Sequence, residues 1–139
     1  MARISRYVYA VIAWLFVIGV MVQVFLAGMV VVALKLGWDY HITLGHTLAA
    51  PLLLMLIFMY MGQLPGLIKW MTWALFGVYV LQADVLIFLR IQAPVLSAFH
   101  PVMALVDFAL GVALARRAGM LTRQVQAITQ AKIEAPSTN

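Results

Sequence analysis

The sequence predicts an all-α integral membrane protein, a four-helix up-down-up-down bundle. Three observations predict it. Of 139 residues, 66% are hydrophobic and only 9% are charged, with a mean hydropathy of +1.07; a soluble domain of this size does not keep so few charges. The apolar residues fall into four stretches of about the 20 residues that a helix needs to cross a lipid core. The connections between them are short, which sets consecutive spans side by side and antiparallel. Lipid offers no water to backbone groups, so helices or a closed barrel remain, and the stretches are too long for barrel strands.

The first span covers residues 7–34 and is longer than needed, which predicts tilt. The preceding "MARISR" resembles the start of a signal peptide, but the apolar run far exceeds a signal h-region, and we read a retained helix. The second span covers residues 41–61. Pro51 within it predicts a kink and a freed carbonyl near His46. The turn "GQLPG" leads to the third span, residues 67–89, and "RIQAPVLSAF" leads to the fourth, residues 100–115. Pro101 suits the first turn of that last helix, and Ser97 is its expected cap. Residues 1–118 thus form one transmembrane domain. Residues 119–139 form a polar cytoplasmic tail, either an amphipathic helix carrying Leu121, Val125, Ile128 and Ile133 or a disordered segment.

Charge gives an orientation. Arg3, Arg6, Lys69, Arg116, Arg117, Arg123 and Lys132 fall on one side of the predicted bundle, and Lys35 and Arg90 on the other. The positive-inside rule then puts both termini in the cytoplasm of a bacterial inner membrane. Trp38 and Tyr40 at one edge, and Trp70 and Trp73 at the other, suit aromatic belts. The formal charge of +5 forms no patch, so nucleic acid is excluded as a partner. Without cysteines there is no disulfide, thiolate metal site or covalent haem attachment. Gly19, Ala27 and Gly28 offer a small-residue packing face, within the bundle or toward a homo-oligomer or larger membrane complex. We read no internal repeat and no paired broken helices, which disfavours a transporter.

Few polar groups lie inside the spans: Gln23, His41, His46, Gln82, Asp84, His100 and Asp107. Ionisable residues in lipid usually face the bundle interior and carry function. At 1.5 Å per residue, His46 lies about 7 Å and Asp107 about 10 Å below the starts of their helices, and Asp84 about 9 Å below Arg90. These three form one layer. His41 and His100 form a second at the outer boundary, with Gln82 and Gln23 deeper. His41 and His46 are five residues apart and point in different directions, so one of them faces the core.

The second and fourth spans carry every histidine and are diagonal partners, with axes about 11–14 Å apart. That suits two imidazoles on one haem b iron, with Arg90 and Lys35 beside the propionates and Gly45 allowing a flat ring to approach. The metal ligands are then His100 with His41 or His46. The expected function is electron transfer near the outer face, to or from quinone, by a carrier or accessory subunit rather than an autonomous enzyme. The alternatives are a non-catalytic subunit whose polar layer packs helices, and a His/Asp metal, proton or quinone site.

"QVFLAG" at 23–28, "DYHITLG" at 39–45 and "FHPVMALVDFALGVALARR" at 99–117 resemble a family of small uncharacterised bacterial four-helix membrane proteins. The matching positions are Gln23, Leu26, Ala27, Gly28, His41, Leu44, Gly45, His100, Pro101 and Ala104, with Gln82 similar to a glutamine of the third span. The resemblance implies that His41, not His46, is the interior histidine, and it implies no activity. The arrangement is similar, in architecture only, to four-helix membrane cytochromes b of the hydrogenase and formate-dehydrogenase type.

Overall fold

A computed structural model describes residues 1–134, with the side chains of 128, 129, 132 and 133 outside the description. The helices are α1 (Ala2–Val31), α2 (Asp39–Thr47), α3 (Ala49–Met61), α4 (Gly66–Val80), a π-helical turn (Leu81–Val85), α5 (Leu86–Phe88), α6 (Pro94–Ser97) and α7 (His100–Glu134). Four helical segments are long and apolar enough to cross a membrane: Ala2–Val31, Asp39–Met61, Gly66–Phe88 and Pro94–Ala127. The chain is a multi-pass, all-helical membrane protein whose outer surface meets lipid.

Each span touches its two neighbours in a ring. The first packs on the second and fourth, and the third packs on the same two. The second and fourth are therefore diagonal, as the sequence predicts. The ring is pinned at one end by Arg6 Nε, which donates to Gly62 O at 2.7 Å. Gly62 is required there, because a Cβ would lie 2.9 Å from Phe58 O and 3.2 Å from Arg6 Cγ. At the same end Trp73 Nε1 donates to Tyr60 Oη, and Lys69 Nζ sits 5.2 Å above the Tyr60 ring.

The core fills only this half of the bundle. Tyr9, Phe16, Leu52, Met55, Leu75 and Leu114 are fully buried in it. Tyr9 Oη donates to Thr72 Oγ1 at 2.6 Å, and Thr72 donates on to Ile68 O, so both hydroxyls are satisfied without water. Beyond Val20 in α1, throughout α2, and before Asp107 in α7, no described residue is buried; Leu86 is the exception on the third span.

One local expectation is corrected, and two others take definite form. Ser97 does not cap the last helix: it ends the short α6, and its Oγ donates to Leu86 O at 2.9 Å, tying the loop to the third span. Of the small-residue stripe, Gly19 packs within the chain, receiving Leu48, while Gly28 has open space around it. Of the two forms expected for the tail, the described part is helical, because α7 runs unbroken from His100 to Glu134. The expected amphipathic positions Ile128 and Ile133 lie outside the described side chains, as does the end of the tail, residues 135–139.

Candidate functional site

Pro51 has no N–H for Thr47 O, and its ring crowds that carbonyl. The second span accordingly breaks at Leu48, between α2 and α3. The Gly45 carbonyl, beside His46, accepts a hydrogen bond from Tyr79 Oη on the third span. This bond ties α2 to the neighbouring third span, one turn below His41.

His41 Nδ1 lies 3.1 Å from Gln23 O. His100 Nδ1 lies 2.8 Å from Gln82 O. A carbonyl only accepts, so each Nδ1 carries the ring proton, and each Nε2 keeps a free lone pair. The two rings meet edge to face, with centroids 6.2 Å apart and planes at 72°. Trp38, just before α2, lies edge-on to His41 at 5.5 Å.

The carbonyl for His100 is freed by the π-helical turn. There Leu86 N–H bonds to Leu81 O, one residue further back than in an α-helix, and leaves Gln82 O without its helical donor. Nothing in residue type or spacing announces such a turn.

These bonds reveal a repeat that the sequence reading misses. Each histidine follows its glutamine by 18 residues, and each is held by that glutamine's backbone carbonyl. An aromatic residue, Tyr40 or Phe99, precedes each histidine. The step from Gln23 to Gln82 equals the step from His41 to His100, so the two halves of the chain present the same device face to face. Few other residues repeat at this step, which is why composition and motif reading pass over it. The glutamines are also not deeper than the histidines, as simple rise along the helix implies, but level with them.

The glutamine side chains face inward. Gln23 Nε2 lies against Gly45, where an added Cβ would sit 2.7 Å from it. Gln23 Oε1, Gln82 Oε1 and both carboxyl oxygens of Asp107 are buried without a hydrogen-bond partner. Asp107 is 1% exposed. Gln82 is the amide beside it, but neither carboxyl oxygen is bonded with proper geometry.

The other expected residues stand apart. His46 is exposed and its Nδ1 is bonded to Ile42 O of its own helix, so His41 is the interior histidine. Asp84 and Arg90 are exposed. His46, Asp84 and Asp107 therefore do not form one inward layer, and among the described residues no group of three or more His, Cys, Asp or Glu is placed to hold a metal. A groove of about 430 Å³ lined by Leu26, Asp39, Tyr40, Thr43, Leu44 and Thr47 lies on the flank of α2, not between the histidines.

Fold and site together define a four-span membrane protein with a paired-histidine centre near one end. Residues 23–87, just under half of the chain, match a family described as "Family of unknown function (DUF6220)". The match runs from the first glutamine through His41 to the π-helical turn, and stops short of His100 and Asp107. It bears out the likeness to an uncharacterised membrane family; the likeness to cytochromes b has no support. No curated protein and no solved structure matches the chain.

Proposed function

We propose that the chain is a haem b protein that carries electrons within the membrane. The observation behind this reading is the spacing of the two imidazoles. A ligating ring nitrogen sits about 2 Å from its metal, and the ring centre lies about 1 Å behind the nitrogen. Two imidazoles on one iron therefore have centroids about 6 Å apart; His41 and His100 stand at 6.2 Å. Their Nδ1–H groups are already engaged by carbonyls, the arrangement that orients metal-binding histidines and raises their basicity.

The surroundings fit the group. The half of the bundle around the histidines lacks a hydrophobic core of its own, so a flat apolar ring would displace the inward Gln23 and Gln82 amides rather than a packed core. Gly45 gives α2 no side chain at that level, and the Gln23 amide takes the space. Lys35 and Arg90, exposed on the two connections at this end, are the cations for the propionates. The haem would supply a one-electron couple. The protein's part is to hold both nitrogens, exclude water and keep the site near one membrane face. By the positive-inside rule that face is the outer one of a bacterial inner membrane, with both termini cytoplasmic.

The test is an absorption spectrum of protein purified in detergent. A Soret band that shifts on dithionite reduction is expected, and His100→Ala and His41→Ala should each remove or strongly alter it. A well-folded, colourless wild-type protein refutes the reading and leaves a helix-packing role for the polar layer.

A further inference from the structure

The repeat has one conspicuous asymmetry. Seven residues after His41 stands Leu48, and seven residues after His100 stands Asp107. Both are buried. Leu48 fills its place by packing against Gly19. The fold therefore needs no acid at this level, yet the second half supplies one, with neither oxygen hydrogen-bonded. An unpaired carboxylate inside an apolar bundle is strongly disfavoured, whereas the neutral acid is tolerated and can donate a hydrogen bond. No cation faces it. The third span offers Tyr79, the Gln82 amide and, on its exposed side, Asp84. The first span offers Phe16 and Val17 against Gly111, one turn further along α7. Asp107 is linked to the His41–His100 pair through one residue: the Gln82 amide lies beside it, and the Gln82 carbonyl holds His100.

We propose that Asp107 is a proton-binding site within the membrane, holding a proton while the histidine pair carries no added positive charge and releasing it to water when positive charge is placed there. Were haem held by the pair, passing one electron from it to a one-electron acceptor such as a quinone would accompany loss of one proton from Asp107. A one-electron donor restores the electron while water returns the proton, so the bundle interior keeps its net charge. The electron half of this proposal rests on the haem reading; the proton half does not.

The experiment is infrared spectroscopy of the full chain in lipid nanodiscs at neutral pH. The dithionite-reduced protein should show the carbonyl stretch of a protonated carboxyl, shifted in D2O and absent in Asp107→Asn. Ferricyanide oxidation should diminish that band. Asp107→Leu, which copies the first half, should keep wild-type helicity and melting, so loss of the band is not loss of the fold. A band missing from the reduced wild type, retained in Asp107→Asn, or unchanged on oxidation overturns the proposal. A colourless protein would overturn the haem reading and the coupling with it, while the band in that protein would still decide whether Asp107 carries the proton.

Discussion

Truncation of Leu114 tests where the bundle is held together. Leu114 is fully buried between α7 and its neighbours, while Leu105, two and a half turns earlier on the same helix, is 66% exposed. In lipid the unfolded helices are as well solvated by apolar chains as the folded ones, so the transfer term largely cancels. What remains is the cavity. Leu→Ala removes about 75 Å³, and at about 24 cal/mol per Å³ an unrelaxed cavity costs about 2 kcal/mol. Leu105→Ala opens no cavity and should cost less than about 0.5 kcal/mol. SDS-driven unfolding in bicelles, followed by circular dichroism, reads both. Equal costs at the two positions, or a neutral Leu114→Ala, would refute the claim that one half of the bundle carries the packed core.

The buried hydroxyl pair gives a second prediction. Thr72→Val strands the Tyr9 hydroxyl and should cost about 1–3 kcal/mol, Tyr9→Phe about 0.5–1.5 kcal/mol, and the double variant less than their sum; the same unfolding assay measures the cycle. His46→Ala should leave the absorption spectrum unchanged and shift stability by less than about 0.5 kcal/mol, because His46 is exposed and bonded only within its own helix. Gly45→Ala should displace the Gln23 amide, whose Nε2 would lie 2.7 Å from the new Cβ; the expected result is weaker haem retention on a gel-filtration column with helicity unchanged.

Hydropathy made the four spans and the diagonal placement of the second and fourth legible, because lipid imposes helices of fixed length. The boundaries shifted where charged or polar residues extend a helix past the hydrocarbon, as Arg3, Arg6 and the run after Gly119 do. Angular spacing separated His41 from His46 without deciding between them. The decision lies in a backbone carbonyl of another helix, Gln23 O, which no side-chain pattern reports. The π-helical turn that frees Gln82 O is equally silent in sequence. Asp84 and Asp107 illustrate the limit of depth arithmetic: both sit well inside their spans, yet one faces outward and the other is buried, because depth says nothing of the facing direction.

The central claim is that His41 and His100 together hold one iron. Low-temperature electron paramagnetic resonance of the oxidised protein in its membrane tests it most directly. With ring planes at 72°, a low-spin ferric signal of the strongly anisotropic kind given by crossed imidazoles is expected, lost in His100→Ala. A high-spin ferric signal in the wild type, or a low-spin signal that survives His100→Ala, would contradict it.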